Sequence, residues 1–259
     1  MIETIHLSFG NLIIGALFFI IPLYALYAFR VEIWGRTLKA LATMAVALTL
    51  GALLTVLAVR AGHIGVTLLC ALVLLAATAW YMRIKARIRQ ANYIVPIMLG
   101  LTLTILPLSL IFVYLVLGMN PLEPHLLLPV VAITTGAVAE SNVKAMGAYY
   151  DGLHHHAQLY YYLTANGATH REATNYLARR SMKRSLIPLL QRMGIMGMGT
   201  APVMMWAMTM SGTDIMSALV IQLLFTGLLI SAATGQLALT LVLARRYAFD
   251  AYDKINARG

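Results

Sequence analysis

The sequence predicts an all-α integral membrane protein with seven transmembrane helices. Apolar residue types make up 61% of the 259 residues and charged types only 11%, whereas soluble domains carry about 25% charged residues. Long, continuously apolar runs recur along the chain, while the strands of a membrane β-barrel would alternate apolar and polar residues. These observations exclude a soluble enzyme, a secreted disulfide scaffold and a disordered chain.

A helix needs about 20 apolar residues to cross about 30 Å of hydrocarbon. We predict seven such spans within a single transmembrane domain, residues 1–259. The fifth span, Leu126–Tyr150, reaches full length only if its helix continues through Glu140 and Lys144. The other six spans are Phe9–Phe29, Ala40–Val59, Ile64–Met82, Ile94–Leu117, Met193–Met210 and Ile215–Ala244.

The basic residues predict the orientation of these spans. All of the 19 Lys and Arg residues except Arg60 fall on one side of the predicted membrane, and the positive-inside rule makes that side cytoplasmic. We therefore expect an external N-terminus, a cytoplasmic C-terminus and a multi-pass location in the cell (inner) membrane. The net charge of +10 then reflects cytoplasmic loops, and no nucleic-acid partner is expected. No basic region precedes the first span, so a cleaved signal peptide is not expected.

One cytoplasmic segment between spans five and six, residues 151–191, is long enough to fold as a helical hairpin. His154–Asn166 has helical composition and is followed by Gly167, a common helix stop. Thr169 and Glu172 then have the spacing of a capping box, in which each side chain bonds the backbone amide of the other residue. A second helix is therefore predicted to start here.

This second helix is predicted to end near Leu186, with Pro188 marking the start of the sixth span. Its basic residues favour either a surface helix on anionic headgroups or a docking site for a cytoplasmic partner. The run His154–His156 is interpreted as solvated loop residues, with a regulatory metal site as the alternative. The basic residues are Arg179, Arg180, Lys183 and Arg184.

Several motifs in this region resemble those of the FetB-like ABC transporter permeases. The matching motifs are Asn166-Gly-Ala-Thr169, Arg180, Ser185-Leu-Ile-Pro188, Gly197-Met-Gly-Thr-Ala-Pro202-Val-Met-Met205 and Gly212-x-Asp214-x-x-x-Ala218-x-x-x-Gln222. The resemblance implies a permease subunit that pairs with a separate cytoplasmic ABC ATPase, in a family linked to iron export. Because seven spans offer half of a pathway, a second copy of the chain is also expected. The cargo implied by the resemblance is a metal ion, iron above all, or a small solute.

The resemblance also implies where ATP chemistry takes place. A P-loop needs Lys followed by Ser or Thr, and none of the lysines here is followed by either. ATP and Mg are therefore expected on the partner ATPase, with no cofactor on this chain and no enzyme activity of its own. The residues expected to form or shape the ATPase contact are Gly167, Thr169, Glu172, Arg180 and Pro188.

Polar and sulfur-bearing residues within the spans are candidates for a translocation path. A charge near the membrane centre costs about 2.5–3.5 kcal/mol, so Glu140 is expected either to pair with Lys144, one turn further on, or to act as a gating or cation-coordinating carboxylate. Methionines of the sixth span could bind a soft metal ion or fill gaps in the packing. The path candidates are Glu140, Lys144, Pro202, Met204, Met205 and Gln222, and the metal-ligand candidates are Met198, Met204, Met205 and Glu140.

Two further interpretations remain to be tested. Asp214 is expected to cap the last helix, with attraction of cations as the alternative, and Gln222 and Gln236 are expected to donate hydrogen bonds between helices. The alternatives to a permease are a seven-helix receptor and a membrane scaffold without a transport role. A retinal protein is excluded because Ile215–Ala244 contains no lysine for a Schiff base. Besides the ATPase and the second copy, the expected partner is membrane lipid.

Overall fold

The computed structural model describes residues 17–18, 20–29, 34–88, 93–155, 157–194 and 203–248, and every regular element in them is a helix. The chain divides into two units, Met1–Leu54 and Thr55–Gly259. The helices are α1 (Ile20–Ala28), α2 (Trp34–Ala61), α3 (Ile64–Lys85), α4 (Ile94–Ile111, extended by a π-helical turn at Phe112–Val116), α5 (Pro124–His155), α6 (Ala157–Ala165), α7 (His170–Gly194), α8 (Val203–Met210) and α9 (Ile215–Ala248).

Five helices are long and apolar enough to cross a membrane: Trp34–Ala61, Ile64–Lys85, Ile94–Val116, Pro124–Leu153 and Ile215–Ala244. They match five of the seven predicted spans and confirm a multi-pass membrane protein. The described parts of the other two predicted spans are α1, with nine residues, and α8, with eight. Most of the remaining residues of those two spans lie outside the described part of the chain, so the count of seven and the orientation stay predictions.

The core of the second unit is organised around α5, which packs against α3, α4, α6, α7 and α9. Each helix contributes a stripe with helical spacing. On α3, for example, the buried positions Thr67, Ala71, Leu75 and Ala79 recur every fourth residue, which places them on one face. Short connections join α3 to α4 and α4 to α5, so α4 runs antiparallel to both, and the parallel helices α3 and α5 pack directly against each other.

Small residues allow α4 and α9 to approach closely. A Cβ added to Gly100 would overlap the Oγ1 atom of Thr240, and one added to Gly235 would lie 2.9 Å from the Cγ2 atom of Thr104. Close approach of this kind is a usual source of van der Waals attraction between membrane helices, where the hydrophobic effect contributes little. The two pairs also fix the antiparallel register of α4 and α9.

Helix boundaries around the predicted hairpin differ from the sequence prediction at two places. The α5 helix does run unbroken through Glu140 and Lys144, as predicted, but it continues to His155, so the first hairpin helix starts at Ala157 and not at His154. The second hairpin helix passes through Pro188 and ends at Gly194, where the sequence predicted an end near Leu186. Pro188 lies on the exposed side of α7, the side on which helices normally lengthen their backbone hydrogen bonds as they curve.

Candidate functional site

The hairpin turn between α6 and α7 has the glycine stop that the sequence predicts. Gly167 has a φ of +86°, a left-handed conformation that favours glycine. The amide of Ala168 donates to the carbonyl of Leu163 at 3.0 Å, and the amide of Gly167 donates to the carbonyl of Thr164 at 3.1 Å. These bonds close the end of α6 as a C-terminal glycine cap does.

Thr169 and Glu172 form the predicted capping box at the start of α7. The Thr169 amide donates to Glu172 Oε2 at 2.8 Å, the Thr169 hydroxyl donates to the same oxygen at 2.7 Å, and the Glu172 amide donates to Thr169 Oγ1 at 3.4 Å. Hydrogen bonds from the Thr169 side chain and backbone lower the pKa of the exposed Glu172 carboxyl from 4.5. The box therefore fixes where α7 begins.

Two faces of α7 have different roles. Ala173, Leu177, Ser181 and Ser185 recur every fourth residue and are all buried, because this stripe packs against α5. The other face carries the basic residues and remains exposed. Two predicted contact residues, Arg180 and Pro188, lie on that exposed face.

Three contacts show that α7 runs antiparallel along the second half of α5. A Cβ added to Gly152 would lie 2.7 Å from Leu177 Cδ2. Further along, the Ser185 hydroxyl donates to the Asn142 side-chain oxygen, and at the far end Arg192 pairs with Glu140. The helix that begins at the hairpin turn is therefore fixed to α5 at three successive levels.

A buried polar cluster lies at the middle level and joins three helices. Asn142 Nδ2 donates to Gln236 Oε1 at 2.6 Å and to the carbonyl of Ala233 at 2.8 Å, while Asn142 Oδ1 accepts from Ser185. Gln236 Nε2 donates onward to Thr240 Oγ1 at 2.9 Å. Gln236 therefore does bond between helices, as predicted, but as an acceptor. A buried amide with all these partners holds α5, α7 and α9 in one register.

Glu140 pairs with Arg192, not with Lys144 as the sequence suggested. Two guanidinium nitrogens of Arg192 donate to the two carboxylate oxygens of Glu140, the bidentate geometry in which Arg binds carboxylates best. Both side chains are 57% exposed, and Lys144 is exposed one turn further along. Arg192 takes the place expected for Lys144 because α7 continues past Pro188.

The depth of this ion pair follows from the length of α3. This helix has 22 residues, or about 33 Å, close to the thickness of a bilayer's hydrocarbon core. A Cβ added to Gly147 would lie 3.1 Å from the carbonyl oxygen of Ala86, the residue that follows α3. Since α3 and α5 are parallel, Glu140 lies about two turns inside the end of α3, and therefore near the inner edge of the hydrocarbon layer if α3 spans it.

The remaining path candidates do not converge on this pair. Gln222 is buried in α9. Met204 and Met205 are half-buried in α8, and Met204 packs against an apolar cluster at the opposite end of the bundle. Met198 and Pro202 lie outside the described residues. Within the described part of the chain, no group of three or more His, Cys, Asp or Glu side chains could hold a metal ion.

Asp214 caps α9, as predicted. Its Oδ2 atom accepts the amides of Met216 at 3.1 Å and Ser217 at 3.2 Å. These two bonds satisfy amides that have no partner within the helix.

Sequence reasoning missed three residues of this site: Arg192, Asn142 and Ser185. Asn142 had a usable signal, since an amide in an apolar span requires a partner. Ser185 also had one, because it continues the four-residue spacing of Ala173, Leu177 and Ser181. Arg192 had none, because its partnership depends on α7 continuing beyond a proline.

Comparison with known proteins shows the family. No curated protein and no solved structure matches the chain significantly. The family model described as "Uncharacterised protein family (UPF0014)" matches residues 9–249, nearly the whole chain. The protein therefore belongs to the UPF0014 family of permease-like membrane proteins.

Proposed function

We propose that this chain is the membrane-spanning permease subunit of an ABC transporter, working as a homodimer with a separate cytoplasmic ATPase. The transporter exports its cargo from the cell, and this cargo is a metal ion, iron above all, or a small solute. One observation carries the proposal: α7 begins at the hairpin turn and pairs, through Arg192, with Glu140 inside the bundle. A single helix thus joins a surface suited to a partner with a charged group at membrane depth.

The fixed packing of α7 supports a coupling role. With 25 residues, the helix is about 37 Å long, and Leu177, Ser185 and Arg192 attach it to α5. A push on the turn at Gly167 would therefore be transmitted to the ion pair instead of being absorbed by a flexible loop. In the proposed cycle, closure of the ATPase on ATP provides that push, and Thr169, Glu172 and Arg180 shape the contact.

Exposure of the ion pair supports a dimer with a shared path. A charged pair within the hydrocarbon layer is costly when it faces lipid, yet Glu140 and Arg192 are more than half exposed in one chain. Water or a second copy must cover them. The same face of α5 is exposed at Ala132 and Gly136, and such small residues allow helices to approach closely.

The ion pair also provides a way for a cation to be exchanged along the path. Both Glu140 oxygens are occupied by Arg192, so a cation could bind there only when Arg192 moves away. Movement of α7 would achieve this, which makes Arg192 an internal competitor of the cargo. Iron as cargo and export as direction rest on the resemblance of Asn166–Gln222 to the FetB-like permeases.

The test is reconstitution in vesicles with the ATPase that co-purifies with the chain, followed by measurement of ATP hydrolysis and of iron, copper, zinc and organic solute efflux. We expect Glu140→Gln and Arg192→Gln to reduce efflux at least tenfold while expression is retained. The matched control is Glu123→Gln, which removes an exposed carboxylate paired with His125 at 3.3 Å near the other end of α5. Full efflux by Glu140→Gln would remove this residue from the mechanism.

Deleting Gly167–Glu172 separates transport from the receptor and scaffold alternatives. In a permease, the deletion abolishes stimulation of the ATPase while the remaining helices still insert. A chain that binds no ATPase and behaves identically after the deletion would not be a transporter subunit.

A further inference from the structure

The exposed face of α7 carries four cations within six residues: Arg179, Arg180, Lys183 and Arg184. Among the residues that the structure describes, none of these four cations forms an ion pair with a carboxylate. Glu172, on the same helix, is committed to the capping box. The four cations therefore form a concentrated positive face.

Contacts with α5 give the level of this face. The four cations lie between Leu177 and Ser185, which contact Gly152 and Asn142 of α5. The four cations of α7 therefore lie at the level of the α5 segment between Asn142 and Gly152. The exposed side chain of Lys144 lies within the same stretch and adds a fifth cation at this level.

The end of α3 places the surface of the bilayer at the same level. Ala86, just past the end of α3, contacts Gly147 of α5. If α3 spans about 30 Å of hydrocarbon, the next 5–7 Å or so is the headgroup layer. That layer begins near Ala86, and therefore at the level of Gly147, in the middle of the stretch of α5 that faces the four cations.

Two other features mark the same boundary. On α3, Trp80 and Tyr81 are exposed and are followed by Arg83 and Lys85, whose charged groups lie 5.6 and 5.7 Å from the respective ring centroids. Exposed aromatic rings beside cations are typical of a membrane interface.

On α7, the exposed face changes from cationic to apolar directly after the four cations. Ile187 is 51% and Leu190 54% exposed, and both follow Ser185 in the direction of the hydrocarbon. Two helices therefore place the interface at one level by independent patterns.

We propose that Arg179, Lys183, Arg184 and Lys144 form a binding site for the phosphate groups of anionic phospholipids in the adjacent leaflet. The site does not depend on the transport proposal, because it needs only this chain and a bilayer. Position favours lipid over an acidic protein surface: the cations flank the level at which the headgroup layer begins, with exposed apolar side chains below them. Each cation near an anionic surface strengthens binding about fivefold.

The experiment uses the full chain in phosphatidylcholine vesicles and compares the motionally restricted fractions of spin-labelled phosphatidylglycerol and spin-labelled phosphatidylcholine. We expect the wild type to prefer phosphatidylglycerol several-fold. In the triple variant R179Q/K183Q/R184Q, the ratio of restricted phosphatidylglycerol to restricted phosphatidylcholine should be at least fivefold lower than in the wild type. The charge-conserving variant R179K/R184K should keep it, and 1 M NaCl should remove it from the wild type.

A control with the same change in net charge is R36Q/K39Q/R60Q, which alters three exposed cations outside the proposed site. Equal loss in both triple variants would show a general charge effect and overturn the site, as would unchanged preference in R179Q/K183Q/R184Q. Displacement of the lipid by 50 mM inorganic phosphate would also overturn it, since the site would then bind free anions. If the triple variant fails to fold, the wild-type salt titration decides: a preference that survives 1 M NaCl contradicts the proposal.

Discussion

The two ends of the α3–α9 bundle are held together by different chemistry. Near the start of α9, an apolar cluster of Phe112, Val113, Val130, Phe225 and Leu228 fills the space between helices, and the rings of Phe112 and Phe225 meet edge to face at 5.3 Å. At the hairpin end, a larger apolar cluster that includes Met82, Tyr149 and Leu237 is accompanied by the amides of Asn142 and Gln236, with the Glu140–Arg192 pair nearby. One end is fixed by apolar packing alone, and the other by apolar packing together with directional bonds.

This difference separates stability from movement. Apolar packing is non-directional and fails gradually as contacts are lost, whereas a hydrogen-bonded cluster or a bidentate ion pair has few good geometries and can switch between them. We therefore expect substitutions at the apolar end to change mainly the free energy of unfolding. Substitutions at the hairpin end should change how α7 is coupled to the bundle.

The largest loss of stability is expected for Phe225→Ala, at the apolar end. Its side chain is 2% exposed, and removing a buried Phe costs about 3–5 kcal/mol. Denaturant unfolding in detergent micelles measures the effect, and transport per folded chain should stay near wild type. Leu223→Ala on the same helix is the control, because Leu223 is 58% exposed. Equal destabilisation by both would show that the cluster is not the anchor of that end.

A smaller loss is expected for Gly100→Ala, where α4 meets α9. The new methyl group would overlap Thr240 Oγ1, and overpacking of this kind costs about 1–3 kcal/mol. The matched control is Gly227→Ala, where nothing lies within 4 Å of the added atom, so better helix propensity makes it neutral or stabilising by up to about 1 kcal/mol. Unfolding of the two variants under identical conditions tests the register of α4 and α9. If Gly100→Ala is as stable as Gly227→Ala, that register is wrong.

Sequence patterns predicted the parts of this fold that depend on local chemistry. The Gly167 stop, the capping box of Thr169 and Glu172, and the Asp214 cap all involve residues within a few positions of one another, and all three are confirmed. Hydropathy likewise located five long apolar helices, because length and composition alone determine that property.

The incorrect or missing predictions concern contacts between distant segments. Lys144 was the natural partner of Glu140 along one helix, but Arg192 reaches Glu140 because α7 lies antiparallel on α5. Pro188 was interpreted as a boundary because proline removes a helical hydrogen bond. The packing of Ser181 and Ser185 on α5 outweighs that local cost, and no pattern within α7 alone contains this information.

Asn142→Ala tests the directional bonds of the hairpin end and should cost about 1–2 kcal/mol, the range for polar side chains between membrane helices. The substitution leaves Ser185 and Gln236 without their shared partner. Thr134→Ala is the control on the same helix, since the buried Thr134 hydroxyl donates within α5 to the carbonyl of Val130 at 2.7 Å. In the reconstituted transporter, Asn142→Ala should also reduce cargo moved per ATP. Additive effects of Asn142→Ala and Ser185→Ala in unfolding would contradict a shared bond, because residues in contact should couple.

The smallest effect concerns pH at the start of α7. Thr169 lowers the pKa of Glu172 below 4.5, so the ionised carboxylate stabilises the folded helix start above that pH, and the contribution is lost as the pH falls through the lowered pKa. Hydrogen exchange of the Thr169 and Glu172 amides, corrected for intrinsic rates, should therefore show less protection as the pH falls through this lowered pKa. In Glu172→Gln, the amide can still accept the Thr169 bond but cannot titrate, so its protection should not change across this range. If the protection of the wild type matches that of the Gln variant at every pH, the carboxylate of Glu172 contributes nothing to where α7 begins. The hairpin would then depend only on the packing of α7 against α5.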